Sequence, residues 1–177
     1  MLNGYYRGER TGSGTIVWKA RELLATGEID DDGFMELVAS SAPSTGYCNT
    51  MGTATTMNSL AEALGMQLPG SAAIPAPYRE RGQISYATGK RIVEMVSEDL
   101  KPADIMTREA FENAITVVIA LEGSTNAVLH LLAIAHAARI PLTIDDFSRI
   151  GARVPVLADM RPAGQYAMSE LIEIGGI

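Results

Sequence analysis

Cys48 is the only cysteine of the chain, and the residues around it suit chemistry at sulfur. Ser40 to Thr50 is rich in small, turn-forming residues. From Met51 to Leu64, Ala54, Met57, Leu60, Ala61 and Leu64 recur at helical spacing, and Gly65 stops the run. The spacing therefore predicts Cys48 in a loop at or just before a helix N-terminus. There the amides and dipole favour an anionic sulfur, the form that attacks electrophiles or binds metal. Ser44, Thr45, Thr50, Thr53, Thr55 and Thr56 surround it with hydroxyls, a polar setting for a core cysteine. The competing reading is a buried thiol acting as a small apolar group. A single thiol excludes an intrachain disulfide. It also cannot by itself hold zinc or an iron–sulfur cluster, which usually take three or four protein ligands.

Gly123-Ser124-Thr125-Asn126 is the second candidate, a tight turn leading into a very apolar helix. Ser124 or Thr125 as an N-cap accounts for the residue types. The alternative is a substrate-binding turn, offering amides and hydroxyls to an anionic group, which the residue types alone favour less than the cap. His130 and His136 are six positions apart, point to different helix faces and do not form a metal pair. Asp30–Asp32 and Asp145–Asp146 read as capping and solvated charge, and Met51, Met57 and Met66 as core filler. The glycines before Thr15 follow no clear strand, which leaves a nucleotide loop without support.

The elements that must position these residues are mostly helices. The first dozen residues read as irregular. A helix is expected from Thr15 to Ala25, closed by Gly27, and a short one capped by Asp30–Asp32. A long helix is expected from about Tyr78 to Leu100, with Gly82 and Gly89 inside it. Thr107 caps a helix through Ala120, and another runs from Ser124 to about Arg139. Thr143-Ile144-Asp145-Asp146 resembles a capping box opening a short helix to Ile150. Val154–Leu157 reads as a short strand, and Ala167–Ile174 as a last helical segment before Gly175-Gly176. The fold class expected is α/β, helix-rich, with a small parallel sheet.

A length of 177 residues, with 47% hydrophobic and 20% charged, fits one folded domain with a real core. The net charge of −7 argues against a nucleic-acid backbone as partner, which would need a basic face. The apolar run Ala127–Ala138, broken by His130 and His136, is too short to span a bilayer, so no membrane partner is expected. The first residues have no signal-peptide core, and a cytoplasmic location is the default expectation.

The text around Cys48 is specific. Ser41-Ala42-Pro43-Ser44-Thr45-Gly46-Tyr47-Cys48-Asn49-Thr50-Met51-Gly52-Thr53-Ala54-Thr55-Thr56-Met57, followed by Leu60-Ala61-Glu62-Ala63-Leu64-Gly65-Met66, closely resembles the dihydroxy-acid and phosphogluconate dehydratase family. Gly123-Ser124-Thr125-Asn126-Ala127 with Leu129-His130-Leu131 resembles a second stretch of that family, and Gly12-Ser13-Gly14-Thr15 with Trp18-Lys19 a third. The wording Cys-Asn-Thr-Met-Gly-Thr is closer to the sugar-acid branch (arabinonate, xylonate and similar dehydratases) than to the branched-chain amino-acid branch.

The resemblance implies dehydration of a 2,3-dihydroxy acid to a 2-keto acid. A cluster iron acts as Lewis acid on the departing hydroxyl, and a magnesium ion orients the carboxylate. By position, Cys48 corresponds to the last of three cysteine ligands to the iron–sulfur cluster, whose two-iron or four-iron type stays open. The other two cysteines and the Mg2+ ligands are expected upstream of this chain, and the base, a serine, in a C-terminal domain downstream. Residues 1–177 are thus expected to be part of a larger N-terminal domain. Alone, such a piece should be inactive; the full-length relatives are expected to be homo-oligomers. Two alternatives stand beside this: a non-catalytic small-molecule binding or interaction module, and a cysteine-nucleophile enzyme pairing Cys48 with a histidine.

Overall fold

A computed structural model describes residues 1–13 and 16–177, so Gly14 and Thr15, inside the third family-like stretch, lie outside the described residues. The chain is a helix-rich α/β structure with one small sheet among the described residues.

The sheet is antiparallel, which corrects the parallel expectation. Strands β1 (Gly4–Tyr6) and β2 (Glu9–Thr11) pair Gly4 with Thr11 and Tyr6 with Glu9. Only Arg7 and Gly8 join them, with φ of 50° and 88°. Two successive positive φ values make the primed turn whose twist matches a two-residue hairpin, and a connection that short cannot bring strands back parallel. The segment expected to be irregular is therefore ordered.

Helices α1 (Ile16–Thr26) and α2 (Asp31–Ser40) pack on each other, with the Asp30 carboxylate accepting from Gly33 N at 2.8 Å as N-cap of α2. Next come α3 (Thr53–Ala63), the long α4 (Arg79–Glu98) and a short α5 (Pro102–Ile105) that the spacing did not suggest. Then follow α6 (Arg108–Ala120), α7 (Asn126–Ala138) and α8 (Ile144–Gly151). A short α9 (Met168–Leu171) runs into a 3-10 turn ending at Gly175. Val154–Leu157 is not a strand. Leu157 N and Ala158 N both donate to Ala120 O, so the segment is anchored to the end of α6 by one carbonyl and has no ladder to join.

The main core lies where α3, α6, α7 and α8 meet. Leu60 and Leu64 of α3 pack with Phe111, Ala114, Ile115 and Val118 of α6, Ala127, Leu131 and Ala135 of α7, and Ile150 of α8. A polar cluster closes one end of this core. Arg108 pairs with both Asp146 and Glu112, and Arg149 reaches Glu112 at 2.8 Å and Asp146 at 3.0 Å. Asp146 also accepts from Thr143 N at 2.9 Å, completing the capping box at the start of α8. A smaller apolar cluster of Met51, Ala73, Leu121, Met160, Met168 and Leu171 lies under the Cys48 loop.

Candidate functional site

Cys48 sits in the loop before α3, half-buried, as the helical spacing predicted. Its sulfur lies over the helix start: a Cβ built on Gly52, the N-cap of α3, would be 3.6 Å from Cys48 Sγ. No side chain caps that N-terminus, so its first amides face the loop. The Thr50 hydroxyl donates to Cys48 Sγ at 3.5 Å. Most other hydroxyls nearby serve the fold. Thr55 Oγ1 donates to Thr50 O at 2.8 Å, and Ser59 Oγ to Thr55 O at 3.0 Å.

Asn49, one residue on, clamps the loop, and the sequence reading missed it. It is buried, and its Oδ1 accepts from Ser13 N at 3.2 Å and Ser13 Oγ at 3.3 Å. Its Nδ2 donates to Asn3 Oδ1 at 3.3 Å, and its carbonyl accepts from Met168 N at 3.0 Å. Met51 N donates to Arg161 O at 2.6 Å. The hairpin end, the Cys48 loop and the start of α9 thus meet at one buried amide. Ser13 belongs to one family-like stretch and Asn49 to another, the signal that could have marked their contact.

Beside Cys48 opens a cavity of about 150 Å³, lined among others by Tyr47, Asn58, Ala72, Arg81 and Ser169. Asn58 of α3 holds its wall, donating to Tyr47 Oη at 2.7 Å and Ala72 O at 2.8 Å. Loss of solvation pushes the Tyr47 phenol above its ordinary value, and the Asn58 N–H opposes that shift by stabilising the phenolate. Glu62 braces the same wall, accepting from Gly70 N at 2.5 Å and Ala72 N at 2.7 Å. Arg81 of α4 donates to Ile74 O, which fixes the one guanidinium lining the cavity.

The second candidate turn docks on the first turn of α3. Ser124 N donates to Thr56 Oγ1 at 2.9 Å, and Ser124 Oγ lies 3.1 Å from Thr53 Oγ1. Asn126 Nδ2 donates to Thr53 Oγ1 at 2.8 Å. Gly123 is required there, because a Cβ on it would lie 2.8 Å from Thr56 Cγ2. Thr125, the N-cap of α7, makes no side-chain capping bond, whereas Ser124 Oγ accepts from Asn126 N at 3.3 Å. Thr125 and Asn126 are exposed. His130 and His136 lie further along α7, half-buried and exposed respectively. Among the described residues no three His, Cys, Asp or Glu side chains converge. The donors of this chain fit one ligand position of a cluster at Cys48 and not a whole cluster site.

Two of the family-like stretches, 75 positions apart at Cys48 and Gly123, are thus packed on the two ends of one helical turn. The model of the dihydroxy-acid/6-phosphogluconate dehydratase N-terminal domain matches residues 1–177. The chain belongs to this dehydratase family. Its relatives include a D-xylonate dehydratase of Caulobacter vibrioides, 53% identical over 99% of this chain and 29% of that protein. An L-arabinonate dehydratase of Rhizobium leguminosarum bv. trifolii is 54% identical over 100% of this chain and 31% of its own length. A dihydroxy-acid dehydratase of Staphylococcus saprophyticus is 52% identical over 85% and 27%. The chain therefore spans under a third of the length of these curated dehydratase relatives. Among the described residues no helix is long and apolar enough to cross a membrane.

Proposed function

We propose that this chain is the Cys48-bearing part of a hydro-lyase that converts a sugar acid, a 2,3-dihydroxy acid, to a 2-keto-3-deoxy acid. The single observation that carries the reading is Cys48 Sγ held over the uncapped N-terminus of α3, beside a cavity with a fixed guanidinium. The names of the D-xylonate and L-arabinonate dehydratases support the sugar-acid class. In this reading Cys48 is one thiolate ligand of an iron–sulfur cluster, a group that supplies Lewis acidity toward a departing hydroxyl when bound. Its other ligands, the Mg2+ ligands and the base are provided outside residues 1–177, in a cytoplasmic homo-oligomer.

The residues of this chain hold the site in shape. Asn49 fixes the loop, Thr50 hydrogen-bonds the sulfur, and Thr53, Ser124 and Asn126 tie α7 to α3. Thr125 and the free amide edge of Asn126 are the groups of that turn open to a substrate hydroxyl or carboxylate. No catalytic step is assigned within the chain.

Anaerobic reconstitution with iron and sulfide tests the reading, followed by absorbance spectroscopy and a keto-acid assay on arabinonate, xylonate and gluconate. The 177-residue chain should hold no stable cluster and give no turnover. A polypeptide of the relatives' length carrying it should do both, and Cys48→Ser in that polypeptide should lose the cluster absorbance. A cluster unaffected by Cys48→Ser would overturn the assignment.

A further inference from the structure

The cavity beside Cys48 carries hydrogen-bond donors that the fold leaves unused. Arg81, in the first turn of α4, donates from Nη2 to Ile74 O, and no acceptor among the described residues takes its other guanidinium N–H groups. Tyr47 Oη accepts from Asn58 Nδ2 at 2.7 Å. That bond occupies a lone pair of the phenol and leaves its own proton without an acceptor among the described residues. The other polar side chains of the wall are committed. Asn58 Nδ2 also donates to Ala72 O at 2.8 Å, and its Oδ1 accepts from Gln67 Nε2 at 2.9 Å. Ser169 Oγ gives its proton to Asn3 Oδ1 at 2.9 Å. Although the chain carries a net charge of −7, no carboxylate side chain lines this cavity.

A wall with unmet donors and no acid takes a ligand rich in acceptor oxygens. The rest of the lining is apolar, with Ala72, Ala73 and Met168 buried behind it, so a short carbon chain can lie there with its oxygens toward Arg81 and Tyr47. The volume of about 150 Å³ is that of a cavity that admits one benzene-sized group, enough for a few hydroxylated carbons.

We propose that Arg81 and Tyr47 are specificity-determining residues that bind the hydroxyls of a sugar acid beyond its two reacting carbons. The assignment rests on the dehydratase reading, in which the reacting carbons lie beside Cys48 and the tail extends into this cavity. The guanidinium N–H and the phenol O–H donate to the tail oxygens. A dihydroxy acid with an apolar tail would leave both donors unmet and is disfavoured for that reason. The carboxylate lies on the other side of the reacting carbons and is not their ligand.

The test uses a polypeptide of the relatives' length that carries this chain. Two ligands are compared as competitors of xylonate turnover: a 3-deoxypentonate, which keeps the tail but lacks the departing hydroxyl, and glycerate, which is the reacting end without a tail. Calorimetry measures 3-deoxypentonate binding directly. Tyr47→Phe and Arg81→Met should each weaken 3-deoxypentonate by about tenfold and glycerate by about twofold or less. Cluster absorbance and far-UV circular dichroism should match the parent. Tyr47→Phe keeps the ring, so it reports on the hydroxyl even if Arg81→Met disturbs the loop at Ile74. A parent that turns over no sugar acid would sink the dehydratase reading and this assignment with it. A working parent whose 3-deoxypentonate affinity neither variant changes would overturn the assignment alone. So would an equal loss for glycerate, which would put both donors at the carboxylate end.

Discussion

The backbone N–H of Ser124 donates to the hydroxyl of Thr56 at 2.9 Å, joining the turn before α7 to the first turn of α3 across 68 positions of sequence. Thr56 is buried, so water cannot replace its oxygen if it is lost. The bond aligns the Cys48 and Gly123 stretches and fixes the start of α3, over which Cys48 Sγ lies.

Thr56→Val should therefore leave the Ser124 amide without a partner in a nearly isosteric side chain. The expected loss is about 1 kcal/mol of unfolding free energy, the low end of the cost of an unmet donor, because the Ser124 amide is half-buried. Urea denaturation followed by circular dichroism measures it. Thr56→Ser should recover most of the loss, because the hydroxyl returns; a serine variant as weak as the valine variant would contradict the hydrogen-bond account.

Phe111 is fully buried at the centre of the helical core. Phe111→Ala should cost about 3–5 kcal/mol, combining lost burial with an unfilled cavity. Leu129→Ala, at a 56% exposed position of α7, should change stability far less. The pair read in one denaturation series checks that Phe111 of α6, and not Leu129 of α7, belongs to the core.

Cys48 should react with a thiol reagent in the folded protein, since it is half-buried beside a cavity. Asn49→Ala should speed that labelling, because the amide ties the loop to Ser13, Asn3 and Met168. Labelling that occurs only under unfolding conditions would refute the placement of the sulfur.

Asp146 is held below the usual carboxylate range, chiefly by Arg108 and then by Thr143 N and Arg149. Glu112 is shifted the same way by Arg149 and Arg108. A carboxylate with a depressed folded value adds stability that is complete above its unfolded value, about pH 4, and fades as pH falls through the folded value. Asp146→Asn should therefore lower Tm at neutral pH, and the gap from the parent chain should narrow below about pH 4. A gap that stays constant with pH would assign the effect to packing instead of charge.

Local sequence determined most of the helices, α5 apart, because their signals are local. Asp30, Thr107 and Thr143 cap the helices that their positions predict, and the apolar spacing of Met51–Leu64 matches α3 to within two residues. The wording around Cys48 and Gly123 likewise carried the family. The tertiary structure decided what depends on contacts between distant segments. Arg7 has no side chain that demands a positive φ, so the hairpin could not be read from residue types; Val154–Leu157 has strand-like residues but lies along the end of α6 without a partner strand. Asn49, Asn58 and Arg81 look like ordinary polar residues in the sequence. They became site residues only because Ser13, Tyr47 and Ile74 were brought to them, and hydrogen bonds between loops and helices 7 to 36 positions apart leave no periodicity by which either partner announces the other.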